Sequence, residues 1–303
     1  MSFIECDGLV KIFKTEEIEV MALQGLDMTV EKGELIAVIG KSGSGKSTLM
    51  NIVGGLEKPS AGRVLVDGVN LSELSEKEMD AYRKKRVGFV WQKAGRNLFG
   101  FLTSRDNIIS AMQFTKLKKA EKEKRADMLL ELVDMTKKAD SLPANMSGGE
   151  QQRIGIAVAL ANDPDILLAD EPTGAVDSMT SDMIFDMFRK LNKELGITII
   201  IVTHDNSLAA KVDRVLSISD GKVSTESIIK EQVRKRLEEL SGEEYSLAEG
   251  LFDNSHEEYS VLDKARRLQL SKEMLGAAGI SGNRVKVSYK DGNIVISGEK
   301  SST

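Results

Sequence analysis

The chain has 303 residues, 41% hydrophobic and 29% charged, figures of an ordinary globular protein with room for one large domain and a small appendage. Its net charge of -5 excludes a general binder of nucleic acid or anionic membranes and leaves such a role only to a local basic patch. A lone cysteine, Cys6, rules out an internal disulfide or a thiolate metal cluster and fits a reducing cytoplasm.

The first residues, MSFIECDGLVKIF, are acidic where a signal peptide needs a basic flank and an unbroken apolar core. ELIAVIG then reads as a buried strand ending at Gly40. It runs directly into GKSGSGKST, Gly40 to Thr48, and a helix opening KSTLMNIV. Two glycines spaced by four residues and followed by Lys and Ser form a phosphate loop in this strand-to-helix context. The glycines Gly40, Gly43 and Gly45, with Ser42, Ser44 and Thr48 between and after them, turn backbone N–H groups inward. Lys46 reaches the terminal phosphates and Ser47 offers its hydroxyl to Mg²⁺.

GRVLVDG at Gly62 to Gly68 and RVGFVWQ at Arg86 to Gln92 are further strand segments. Gln92 ends its strand with a neutral side chain suited to touching both Mg²⁺ and water. From there the strand signal stops, and a Lys- and Glu-rich stretch including AEKEKRADMLLELVDM reads as a helical subdomain of about residues 93–160 inserted into the core. Inside it, MSGGEQQRIGIAVALAN at Met146 to Asn162 places a serine and a glycine pair before a helix, a second phosphate-binding arrangement in a chain that already has one.

DILLADEPTG, Asp165 to Gly174, delivers Asp170 at the end of a buried strand, where a carboxylate holds Mg²⁺ through its water shell. The adjacent Glu171 is placed to polarise an attacking water. SDMIFDMFRKLNKEL follows as a helix with Ile184, Phe188 and Leu191 on one stripe. The next strand, in ITIIIVTHDNS, ends at His204, a group able to contact the γ-phosphate or hold Glu171 and water. ITIIIV is also the strongest apolar run, far below the roughly 20 residues of a membrane span, so a soluble chain is expected whose membrane role comes through a partner. Strand and helix repeat through this whole region, which means an α/β parallel core. After DRVLSISDGKV the composition shifts to ESIIKEQVRKRLEELSGEEYSLAEG, read as a charged linker helix over residues 226–257 with Ile229, Val233, Leu237 and Leu240 on one side.

In order and type these motifs resemble ATP-binding cassette proteins over residues 1 to about 225. The resemblance implies a P-loop NTPase cassette of the α/β class with an inserted helical subdomain, ATPase activity coupled to transport, and ATP and Mg²⁺ as cofactors. It answers why there are two cradles: Ser147, Gly148, Gly149 and Gln151 match the family's signature loop, which closes over nucleotide bound by a second subunit. It also implies that Phe13 stacks on adenine and that Asp177, in TGAVDS, belongs to the so-called D-loop, where Ala175 and Val176 depart slightly from the usual residues. Within the family the chain is most similar to ATPases of the lipoprotein-releasing and macrolide-exporter type. That implies a homodimer beneath an FtsX-like integral membrane permease, cytoplasmic and peripheral on the inner face of the plasma membrane. The stretch KAGRNLFGFLTSRDN after Gln92 departs from the pattern, being about two residues longer and lacking the usual proline.

The tail, residues 258–303, reads as strand, turn, strand, short helix and a hairpin turning at KDGN. It resembles the swapped-hairpin module of AbrB-type regulators through Asp263, Arg266, Leu270, Glu273, Gly279, Ile280 and Val285, with Ala265 and Ser271 where glycine and proline are usual. The resemblance implies a small β-rich dimerisation domain. Lys264, Arg266, Arg267, Lys272, Arg284 and Lys286 make it locally basic, yet dimerisation without DNA is the expected role. The alternatives are a soluble cassette ATPase working on ribosomes or DNA, and a DNA-binding regulator that reads operators with this tail.

Overall fold

The computed structural model describes residues 2–14, 18–93, 95, 97–205, 211–233, 235, 255–263, 266–270, 272–280, 285–290 and 292–298. They fall into two compact units, Met1–Tyr259 and Ser260–Thr303.

In the first unit, β3 (Leu35–Ile39), β6 (Val87–Val90), β7 (Ile166–Asp170), β8 (Thr198–Val202) and β9 (Arg214–Ser219) pair in parallel. With β10 (Lys222–Ile229), antiparallel to β9, and β11 (His256–Ser260) they make a seven-stranded sheet in the order β11-β10-β9-β3-β8-β7-β6. Successive side chains on a strand point to opposite faces, and both faces here are apolar. Leu35, Ala37, Leu167, Ala169, Ile199 and Ile201 enter one core, while Ile36, Val38, Ile166, Leu168, Ile200 and Val202 enter the other. That is why these segments read as unbroken hydrophobic runs rather than alternating ones.

The first core is closed by α3 (Ser104–Ala111), α4 (Lys119–Leu132), α5 (Gly148–Ala159) and α6 (Ser178–Leu195). On α6 the fully buried Ile184, Phe185, Phe188 and Leu191 form the inward stripe, each contributing about 1.5–3 kcal/mol by leaving water. The second core is covered by α1 (Lys46–Val53), α2 (Glu76–Arg86) and a four-stranded sheet. That sheet has the order β2-β1-β4-β5, formed by β1 (Ile4–Lys14), β2 (Glu19–Val30), β4 (Ala61–Val66) and β5 (Val69–Asn70). Among the described residues no helix is long and apolar enough to cross a membrane.

The region expected to be a linker helix over 226–257 differs. β10 continues to Ile229, which is buried and donates its N–H to the Asp213 carbonyl at 2.9 Å. A helical turn begins only at Glu231. The apolar spacing from Ile229 to Val233 therefore spans a strand end and a helix start. The chain then re-enters the large sheet at β11. Ser255 is buried and its carbonyl accepts from Lys230 N–H at 2.7 Å. His256 Nε2 lies 2.8 Å from the Val212 carbonyl and Nδ1 lies 2.7 Å from Ser255 Oγ. A carbonyl only accepts, so Nε2 carries the proton and Nδ1 accepts from the serine. Leu237 and Leu240 lie outside the described residues.

In the second unit α7 (Lys272–Ala277) precedes a hairpin of β12 (Val285–Lys290) and β13 (Asn293–Gly298), closed at the pair Lys290↔Asn293. Gly292 takes φ +83° in its turn, a backbone that disfavours any side chain. Lys264, Ala265, Ser271 and Arg284 lie outside the described residues, as does the side chain of Glu273.

Candidate functional site

The C-terminal ends of β3, β7 and β8 converge, as ligand sites do in parallel sheets. β3 ends at Ile39 and the chain turns through Gly40 to Gly45 into α1. Two glycines there are obligatory. A Cβ on Gly40, φ +150°, would lie 2.3 Å from the Ile218 carbonyl oxygen, and one on Gly45, φ +105°, would lie 2.5 Å from that of Ala22. Lys46 is only 8% exposed. Its Nζ donates to the carbonyls of Gly40 at 2.7 Å and Lys41 at 3.1 Å, holding the loop in a ring around an ammonium. Ser44 Oγ is buried and has no hydrogen-bond partner, a costly arrangement for a hydroxyl unless a ligand satisfies it. Cationic lysine, orphaned hydroxyl and glycine-lined loop fit a polyphosphate.

Ser47 Oγ donates to Asp170 Oδ1 at 3.3 Å across the ends of α1 and β7. Hydroxyl and carboxylate are hard oxygen donors, and two of them with few other protein ligands suit Mg²⁺, which keeps water and substrate phosphate in most of its shell. Gln92, exposed after β6, sits against Gly174, where a Cβ would be 2.7 Å from its Nε2. Glu171 takes φ +47°, a strained backbone for a non-glycine residue of the kind found at functional sites. Its N–H is held by the Val202 carbonyl at 2.8 Å and its carbonyl accepts from Gly174 N–H at 3.0 Å. Its Oε2 lies 2.7 Å from His204 Nδ1, with the histidine side chain 70% exposed and the glutamate 19%. The carboxylate only accepts, so Nδ1 donates and Nε2 faces outward.

The second cradle is built on helix caps. Ser147 Oγ accepts from Glu150 N–H at 3.2 Å, and Glu150 Oε2 accepts from Ser147 N–H at 2.8 Å, a reciprocal capping box at the start of α5. The serine O–H remains available to donate. Gly148 is exposed beside Ala175 and Val176, and Gly149 is buried against Thr180, whose Cγ2 would lie 2.3 Å from an added Cβ. Asp177 caps α6, its Oδ1 accepting from Thr180 N–H at 3.0 Å. Gln151, expected to contact the ligand, also holds its own turn. Its Nε2 donates to the carbonyls of Pro143 at 3.0 Å and Met146 at 3.2 Å, bracing the turn before the cradle.

Both caps titrate. The Thr180 backbone N–H and then its hydroxyl hold the Asp177 carboxyl below the usual carboxylate range. The Ser147 backbone N–H, with help from Lys138, does the same for Glu150. A depressed folded pKa adds stability that is present above the ordinary carboxylate value of about 4 and is lost as pH falls through the lower folded value. Melting temperature followed from neutral pH into acid should therefore drop less steeply below about pH 4 in Asp177→Asn, which keeps an oxygen acceptor but no charge, than in the wild type.

Phe13 is 40% exposed near the end of β1. Beside it stands a group not anticipated from the sequence. Lys11 Nζ lies 4.9 Å from the ring centroid and is fixed by Glu57 Oε2 at 2.8 Å and the Lys58 carbonyl at 2.9 Å. The i, i+2 spacing on a strand is the signal that would have found it.

A family model described as ABC transporter matches residues 23–174. The chain is 40% identical over 223 residues to the lipoprotein-releasing system ATP-binding protein LolD 1 of Rhodopseudomonas palustris, covering 73% of this chain and 98% of that protein. It is 40% identical over 227 residues to the macrolide export ATP-binding/permease protein MacB of Neisseria gonorrhoeae, covering 75% of this chain but only 35% of MacB. A solved dimeric post-hydrolysis state of the ATP-binding cassette MJ0796, bound to ADP and Pi, superposes with a TM-score of 0.67 at 36% identity, over 74% of this chain and 97% of that one.

Proposed function

The chain belongs to the ABC transporter family as an ATP-binding, ATP-hydrolysing cassette that uses Mg²⁺, and from that premise we propose that it drives an FtsX-like integral membrane permease as a homodimer on the inner face of the plasma membrane. The observation that supports the reading is the 40% identity running through 98% of a lipoprotein-releasing ATPase.

Lys46 moves its donors from the loop carbonyls to the terminal phosphates, and the Gly40 to Thr48 backbone wraps them. Phe13 stacks on adenine with Lys11 beside the ring. Ser47, Asp170 and Gln92 would hold Mg²⁺, which when bound would neutralise charge developing on the phosphate oxygens. Glu171 orients the attacking water and takes its proton, and His204 holds that carboxylate in place. Ser147 O–H and the Gly149 backbone of a second copy close over the γ-phosphate, so ATP joins the two cassettes and its hydrolysis releases them. Asp177, capping α6 beside that cradle, keeps the segment between the two sites in register.

The tail assists as a second dimer contact. Of its described apolar residues only Ile280 is buried, while Val287, Tyr289 and Ile294 are 61%, 77% and 74% exposed on one face of the hairpin. A unit this small needs a partner to close a core, and a second copy is the occupant already implied by paired cassettes. Linking two weak contacts raises the effective concentration of each.

The test is ATP-supported capture with Glu171→Gln from detergent-solubilised native membranes. A stoichiometric permease with an FtsX-like extracytoplasmic domain is expected. A permease of another architecture would refute the partner class, and recovery of only soluble proteins or nucleic acid would favour the regulator or ribosome alternatives.

A further inference from the structure

The Phe13 ring is held from one side by a cation that is itself held in place. Lys11 Nζ lies 4.9 Å from the ring centroid, and the lysine side chain is only 13% exposed. The same nitrogen donates to Glu57 Oε2 at 2.8 Å and to the Lys58 carbonyl at 2.9 Å. Ring, carboxylate and carbonyl thus share one ammonium. The segment that supplies the last two follows α1 and also grips the β1 backbone on either side of Lys11. Ser60 N–H donates to the Val10 carbonyl at 2.8 Å, and Ser60 Oγ accepts from Ile12 N–H at 3.0 Å. That segment is in turn folded back onto α1, whose Asn51 carbonyl accepts from Leu56 N–H at 2.8 Å and Glu57 N–H at 3.2 Å.

α1 therefore has a job at each end. Lys46 and Ser47 open it, and the chain leaving its other end fastens the strand that carries Phe13. Eight residues of helix span roughly 12 Å. We propose that Lys11 is a positioning residue for the nucleotide base, fixing the Phe13 ring as a platform and tying that platform, through Glu57, to the helix that opens on the phosphates. This rests on the reading that Phe13 stacks on adenine. A ring 40% exposed near a strand end keeps rotamer freedom unless something packs on it. An ammonium over one face is attracted by the ring's quadrupole, removes that freedom and covers that face. The opposite face is left for the base. Glu57 keeps the ammonium from being drawn off into water, so the platform is set before the base meets it and less ordering is left for binding to do. Base and triphosphate are then received at a spacing that one helix sets.

The test uses the full chain and two probes, ATP and inorganic tripolyphosphate, which has the phosphates and no base. Lys11→Leu should raise the KM for ATP by about three- to tenfold while kcat falls less than about twofold, the pattern of lost binding rather than lost chemistry. Inhibition by tripolyphosphate should stay within about twofold of wild type, because nothing in the phosphate grip has changed. Combined with Phe13→Ala, Lys11→Leu should add less than about twofold to the KM of Phe13→Ala alone, since a cation that acts through the ring has nothing left to act on. Lys11→Gln, which keeps an N–H donor and loses the cation, gives the same reading if Lys11→Leu folds poorly. An unchanged KM for ATP, equal weakening of ATP and tripolyphosphate, or full multiplication of the two losses overturns the role of Lys11. A raised KM in Phe13→Ala with none in Lys11→Leu would refute Lys11 and leave the stacking intact. Wild-type KM in Phe13→Ala would refute the stacking itself, and the platform with it.

Discussion

Glu171→Gln is expected to lower ATP turnover by about 10²–10⁴-fold while leaving ATP binding in place, so that an ATP-bound dimer accumulates. The substitution is nearly isosteric. Its amide oxygen can still accept from His204 Nδ1, the 2.7 Å contact that fixes the side chain, and the backbone at φ +47° stays pinned by the Val202 carbonyl. What disappears is the ability to take a proton from water. The contacts to phosphate and Mg²⁺ would come from other side chains: Lys46 and Ser47 open α1, and Asp170 precedes Glu171 at the end of β7. Binding and chemistry are thus separable in this site, because different side chains carry each. Light scattering of the variant with ATP and Mg²⁺ should show twice the monomer mass, returning to the starting mass when nucleotide is removed. Turnover within about tenfold of wild type would mean that another group accepts the proton.

The central sheet was legible because its strands are apolar on both faces, a pattern set by local sequence alone. Gly40 to Thr48 was equally legible, since the chemistry of wrapping phosphate dictates residue types at fixed spacing. The same applies to Asp170, Glu171 and His204 at strand ends. Side chains whose work depends on distant neighbours were not legible. Gln151 and Gln152 stand side by side in a run quoted for its glycines, yet one braces the preceding turn and the other reaches across to Trp91. Nothing in the local pattern separates them. Asn97 lies in the stretch that departs most from the family's usual form, and its bonds to Phe89 on β6 and to Trp91 just after it give that departure a structural content. The end of β10 was not legible because Ile229 suits a helix stripe as well as a buried strand position. Only its pairing with Asp213 decides between them.

Lys46→Ala is expected to act on the other half of the cycle, weakening ATP binding by about 10–100-fold, the loss of one charge-assisted contact worth about 1.5–3 kcal/mol. The ammonium is oriented by the Gly40 and Lys41 carbonyls within a loop that admits no Cβ at Gly40 or Gly45. A loop tied in this way is pre-organised, and phosphate oxygens can replace carbonyls as acceptors without a large rearrangement. Removing the side chain leaves the two carbonyls near solvent at an open loop, where water can replace the lost donor. Melting temperature without nucleotide should change little, and the stabilisation that ATP gives the wild type should shrink in proportion to the lost affinity. Lys46→Arg should not rescue binding, because a planar fork is wider than the space between two carbonyls at 2.7 and 3.1 Å from a single nitrogen. Calorimetric titration separates the two variants that matter most: Glu171→Gln with ATP bound and unspent, Lys46→Ala with ATP scarcely bound at all. If Lys46→Ala bound ATP within about threefold of wild type, the loop would have to hold phosphate through its backbone amides alone, and the ring around the ammonium would be only a structural tie.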